Sequence, residues 1–146
     1  MPLLGQKERE FIEREFKGLV NPVTLVMFTQ EIECEHCADT RRLVEEIAGL
    51  SQKITARIHH FVLDKAQAES LGIDKIPAVA LLSKENGEER DHGIRYYGIP
   101  AGYEFSTLLA GIVMVSRGES ALSRESKTAL AGLRMPVHLQ VFVTPT

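Results

Sequence analysis

The chain has 146 residues, 44% hydrophobic and 25% charged, with a formal net charge of −3. That length fits one domain of common size and the apolar content suffices for a core, which argues against a disordered tail. An acidic balance without a basic cluster offers no footprint for nucleic acid, and no apolar run nears the roughly 20 residues that cross a bilayer.

Met1–Phe11 is too charged for a signal peptide, so a cytoplasmic protein that engages no membrane is expected. Gln6–Leu19 predicts an amphipathic helix. Phe11, Ile12, Phe16 and Leu19 share one face, with Glu10/Arg14 and Glu13/Lys17 as pairs on the other. Asn21-Pro22 ends it, because proline disfavours helical geometry in the residue before it. Val23–Thr29 is apolar and rich in β-branched residues, as suits a strand buried on both faces. After the polar loop Gln30–Glu33 comes Cys34-Glu35-His36-Cys37. Ala38–Leu50 then reads as a helix with Leu43, Val44, Ile47 and Leu50 inward and Arg41, Arg42, Glu45 and Glu46 outward.

Ile54–Leu63 alternates as a second strand, in which His59 and His60 form an ordinary in-and-out pair. Ala66–Leu71 is a short helix closed by Gly72. Ile76-Pro77 introduces the apolar run Ala78–Leu82, and a turn at Glu85-Asn86-Gly87 leads into Gly93–Ile99, which predicts a hairpin. Leu108, Leu109, Ile112, Val113 and Ser116 mark the buried face of a further helix. Two strands joined through a helix imply a parallel βαβ unit, and the hairpin and covering helix complete an α/β sandwich with a mixed central sheet.

Pro22–Phe28 reappears as Pro136–Phe142, identical at four of seven positions at an offset of 114 residues, and Ser123–Leu133 before it is helix-like. A duplicated unit follows. Residues 1–118 form one unit on this reading, and residues 119–146 the first helix and strand of a second, truncated one.

Two cysteines cannot make a disulfide scaffold, so Cys34 and Cys37 need another explanation. A pair spaced by two residues, after a strand and at a helix start, brings both sulfurs within bonding reach. The free N–H groups and dipole of the helix terminus favour a Cys34 thiolate. Cys34 then attacks a substrate disulfide and Cys37 resolves the mixed disulfide. Glu35 and His36 tune the pair in opposite senses, the carboxylate against the thiolate and a protonated imidazole for it. The rival reading is half a zinc site. It would need two further ligands from His36, His59, His60, His92 or His138, which lack a His-x₃₋₅-His spacing, so redox chemistry is preferred and no metal is expected. Pro77 reads as a strand-start proline, and spacing alone does not make its peptide bond cis.

Strand, Cys-x-x-Cys at a helix start, second strand and Ile76-Pro77 before a hairpin resemble the thioredoxin fold. More closely, the chain resembles the glutaredoxin-like protein disulfide oxidoreductases of thermophilic archaea and bacteria. Asn21-Pro22-Val23, Cys34-Glu35-His36-Cys37 and Tyr97–Phe105 carry the likeness, and Val141–Thr146 looks like the stretch that precedes a second Cys-x-x-Cys in that family. The resemblance implies a thioredoxin-like three-layer sandwich with a mixed four-stranded sheet, repeated in tandem. It implies an enzyme that reduces, forms or isomerises protein disulfides, with Cys34 as nucleophile and Cys37 as resolving thiol. No cofactor is implied beyond the redox-active disulfide, and a flavoprotein thiol reductase is implied as electron donor. It further implies a cis Ile76–Pro77 bond beside the disulfide, with the Ile76 backbone pairing to an extended substrate. Glu35-His36 departs from the Pro-Tyr dipeptide of glutaredoxin-type sites. The N-terminal region of the flavin-dependent component of alkyl hydroperoxide reductase is a related pair of folds, whose first fold generally lacks the cysteines, so their presence favours the disulfide oxidoreductase. The alternative is a non-catalytic thioredoxin-like binding module whose cysteine pair is a regulatory disulfide or holds zinc.

Overall fold

The apolar run Val23–Thr29 becomes β1, a strand with its first six residues buried, inside a four-stranded sheet of order β2-β1-β3-β4. The computed structural model describes residues 1–144, so Pro145 and Thr146 of the Val141–Thr146 stretch lie outside the described residues. β2 (Ile54–His60) pairs with β1 in parallel, while β3 (Ala78–Glu85) runs antiparallel to β1 and to β4 (Glu88–Tyr97). The mixed sheet is the one that the order of elements predicts. A parallel pair needs a crossover, supplied here by the helix α2 (Cys37–Ala48). The antiparallel hairpin needs only two residues, Asn86 and Gly87, and both take the positive φ (52° and 85°) that a tight turn of this hand demands.

Alternation along β1 and β3 divides the core in two. Leu25, Met27, Val79 and Leu81 face one side, where α1 (Gln6–Phe16) contributes Ile12 and Phe16, α2 contributes Val44 and Ile47, and α4 (Tyr103–Arg117) contributes Leu108 and Ile112. Val26, Phe28, Ala80 and Leu82 face the other, where the six-residue helix α3 (Lys65–Ser70) contributes Ala68. The result is the three-layer sandwich expected. Beyond α3, Arg57 of β2 and Glu89 of β4 reach toward each other over the two central strands and pair through both guanidinium nitrogens. Arg95 pairs with Asp91 at 2.6 Å on the same face and donates to the carbonyl of Leu71.

Several local expectations change. The first helix stops at Phe16, and Phe11 is 48% exposed beneath the Arg14 guanidinium rather than in the core. One residue along a helix is a 100° rotation, so with Ile12 facing inward Phe11 turns out of the stripe. Glu10 accepts from Gln6 rather than pairing with Arg14. β2 ends at His60, whose Nδ1 accepts the Val62 and Leu63 N–H groups at 3.3 Å, and both apolar side chains point to solvent. β4 starts five residues before Gly93, since a charged edge strand still pairs on its inner side. Glu46 turns inward onto the chain start, accepting from the Leu3 and Leu4 N–H groups and from Arg9.

A helix α5 (Arg124–Ala131) forms, capped by Ser123 Oγ accepting from the Ser126 N–H, but residues 136–142 carry no strand. Residues 121–144 are exposed throughout. The same motif at Pro22–Phe28 is a strand because β2 and β3 satisfy its backbone on both sides.

Candidate active site at the end of the sheet

β1 delivers the chain to one end of the sheet at Thr29, and the loop beyond it is shaped by Gln30 Nε2 donating to the Ile32 carbonyl and by Glu33 at φ 57°. Cys34 follows in a turn whose carbonyl accepts the Cys37 N–H at 3.4 Å, and α2 starts at Cys37 with His36 as its N-cap. The cysteines therefore straddle the helix terminus, at the helix start their spacing predicts. They are joined as a disulfide, with Cα atoms 5.4 Å apart. Cys37 is 1% exposed, whereas Cys34 is partly exposed. No side chain caps α2, so beyond the Cys37 N–H the Ala38 and Asp39 N–H groups of its first turn remain available to a charge on Cys34. Glu35 and His36 are both exposed, and the His36 carbonyl accepts from Thr40 Oγ1 at 2.7 Å.

Strand register brings a second element to the same end. Phe28 lies opposite Ala78 on β3 and His59 on β2, and Ala78 lies opposite Tyr97 on β4. The residues just before Ala78 are Ile76 and Pro77, and the bond between them is cis. Pro77 is buried, and its carbonyl accepts the Gly98 N–H at 2.9 Å. Ile76 is half-buried against the Phe28 and Ala78 side of the core.

Two residues not singled out by sequence join this end. Lys75 places its ammonium 4.7 Å from the centroid of the Tyr97 ring and 2.6 Å from Asp74 Oδ1. Hydrogen bonding between the two holds the Asp74 carboxyl below its usual range and Lys75 above its own. A lysine before Ile-Pro reads as plain surface charge, and only the pairing of β3 with β4 shows what it covers.

The other histidines weighed as ligands are dispersed. His59 stacks on Phe28 with ring centroids 5.2 Å apart, His92 meets Ser83 Oγ at 2.7 Å on the hairpin, and His138 lies in the exposed terminal stretch. Among the described residues no three His, Cys, Asp or Glu side chains are gathered as a metal site would need. No helix among them is long and apolar enough to cross a membrane.

This sheet order, with α2 and α4 on one face and α3 on the other, is the thioredoxin fold, and the cysteine pair stands at the start of its first crossover helix. Solved structures agree. The chain is similar to the N-terminal domain of the alkylhydroperoxide reductase AhpF from Enterococcus faecalis, with 29% identity, a TM-score of 0.75, and coverage of 88% of this chain and 60% of that one. It is equally similar to a protein disulfide oxidoreductase from Aeropyrum pernix, with 26% identity, a TM-score of 0.76, and coverage of 88% and 55%. A thioredoxin from Thermus thermophilus shares the fold at 17% identity and a TM-score of 0.53, over 78% of this chain and 89% of that one. No family model and no curated protein matches the chain. The chain spans less than two thirds of the two longer neighbours. Two of these neighbours are named as a reductase and as a disulfide oxidoreductase, and in this chain Cys34 and Cys37 stand joined as a disulfide.

Proposed function

We propose that the chain is a thiol–disulfide oxidoreductase acting on protein disulfides through Cys34 and Cys37. The observation that carries this reading is the asymmetry of the pair at an uncapped helix start: one sulfur within reach of solvent, its partner buried. In the reduced state the Cys34 thiolate attacks one sulfur of a substrate disulfide, and the other substrate sulfur leaves and takes up a proton. Cys37, deprotonated, then attacks the Cys34 sulfur. The second substrate thiolate departs, and the Cys34–Cys37 bond re-forms with two electrons passed to the substrate. Run backwards, the same steps donate a disulfide.

Glu35 and His36, as the two intervening residues, set the balance between these directions. Ile76 supplies backbone for an extended substrate and Pro77 shapes the groove beside the sulfurs, a reading supported by the register that brings them to the same end of the sheet. The disulfide itself is the redox group, and a flavoprotein thiol reductase returns its electrons. The cytosol is the compartment assigned. Residues 119–146 are the opening of a second unit of the same kind. The repeated motif supports this, as does a helix preceding each copy and the exposed Leu130, Leu133, Leu139 and Val141, apolar side chains such as a sheet and its helices would cover.

The test is reduction of a model protein disulfide by the chain and its two serine variants. Cys34→Ser is expected to lower turnover at least about a hundredfold and to form no adduct. Cys37→Ser is expected to halt at the mixed disulfide, seen as a mass increase that a reductant removes. Turnover by Cys34→Ser equal to that of the parent chain would defeat the proposal.

A further inference from the structure

The loop into the active site carries a carboxylate at every second position: Glu31, Glu33 and Glu35 flank Ile32 and Cys34. All three are exposed, and among the described residues none enters an ion pair. The cations that follow the loop in sequence and the one beside Ile76-Pro77 are already engaged. Arg41 pairs with Glu45, Arg42 with Asp39, and Lys75, on the proline side, with Asp74. Chain connectivity bounds the distances. Glu33 and Glu35 adjoin Cys34, and three residues span at most about 11 Å, so even the Glu31 Cα lies within about one screening length of the Cys34 Cα at 0.1 M salt.

We infer that Glu31, Glu33 and Glu35 select the substrate of the Cys34–Cys37 pair, favouring disulfides set among Lys and Arg side chains and turning away anionic ones. The inference rests on the oxidoreductase reading and adds the substrate class. A helix N-terminus by itself draws anions. Here three uncompensated charges on the exposed approach reverse that preference for anything arriving from solvent, while the helix still acts on the sulfur at its end. An incoming disulfide feels the carboxylates before it makes contact, so the preference belongs to the encounter and is erased by salt.

The experiment follows the second-order rate at which the reduced chain reacts with three small disulfides at pH 8. The probes are cystamine (dicationic), bis(2-hydroxyethyl) disulfide (neutral) and 3,3′-dithiodipropionate (dianionic). Each rate is divided by that of the Glu31→Gln/Glu33→Gln variant, which cancels the intrinsic reactivity of the probe. At low ionic strength the parent-to-variant ratio is expected to exceed one for cystamine, stay near one for the neutral probe and fall below one for the dianion. The spread between the charged probes is expected to be about tenfold and to collapse in 1 M salt. Equal ratios for all three probes overturn the inference alone. Absence of exchange with every probe, the neutral one included, overturns the oxidoreductase reading and this inference with it.

Discussion

Ser116 shows how much one side chain does at a junction. It is fully buried on α4, and its hydroxyl accepts the Val20 N–H at 2.9 Å while donating to the Asn21 carbonyl at 2.7 Å. Asn21 N–H returns a bond to the Ser116 carbonyl. These bonds fix the entry of the chain into β1, and so the strand that delivers the cysteines. Removing the hydroxyl leaves a donor and an acceptor unsatisfied at a partly buried joint. Ser116→Ala is therefore expected to lower stability by about 1–3 kcal/mol, read as a lower denaturant midpoint with an unchanged slope. In sequence Ser116 stood out only as the last member of an apolar helix face, because the partner that gives it meaning lies almost a hundred residues earlier.

At the scale of elements, α1 and α2 are tied by Glu46. Burial pushes its carboxyl up, but the Leu3 and Leu4 N–H groups and the Arg9 guanidinium outweigh that and hold it below the ordinary range. A carboxyl lowered in the folded state contributes stability that is full above the ordinary carboxylate pKa and is lost as pH falls through the folded value. Glu46→Gln is thus expected to cost about 1 kcal/mol at pH 7 and progressively less toward pH 3, measured by chemical denaturation across that range. Periodicity placed Glu46 on the solvent side because it sees one helix at a time, and the segment Met1–Gly5 that folds over α2 has no pattern of its own. The same limit explains Phe11 and the early start of β4, whose Glu88-Glu89-Arg90-Asp91 looks like a loop until β3 is seen to pair with it. What was legible was what local chemistry settles: the apolar β1, the Asn86-Gly87 turn, and the cysteine pair between a strand and a helix. Pro77 was legible as a strand start, whereas its cis bond came only through the resemblance.

For the whole molecule, the packed body ends near Gly118. Its φ of 68° closes α4 in the left-handed conformation that glycine adopts without strain, and residues beyond Ser120 are exposed to the last described position. Ending the chain after Gly118 is expected to leave the thermal midpoint of the body within about 2 °C of the full chain, as followed by near-ultraviolet circular dichroism, because no buried surface is removed. A drop of ten degrees would mean that α5 and residues 136–143 are structural supports of that body. The fold class was readable at this scale because the βαβ unit and the hairpin follow from element order, whereas the strand order came from the structure. The fate of Pro136–Phe142 was not readable, since a strand is a property of a neighbourhood and this motif has its neighbours in only one of its two copies.

The Arg57–Glu89 pair that bridges β2 and β4 over the central strands, with Arg95–Asp91 along β4, has a consequence for crowded solutions. Where α3 ends, two sheets from different molecules would otherwise be able to lie flat against each other, Val26 to Val26, as the halves of a β-sandwich do. With Arg57–Glu89 and Arg95–Asp91 spread across that face, stacking requires stripping water from ionic groups, and the attraction between two apolar sheets is replaced by that penalty. Face-to-face stacking of two copies through this side of the sheet is thereby disfavoured.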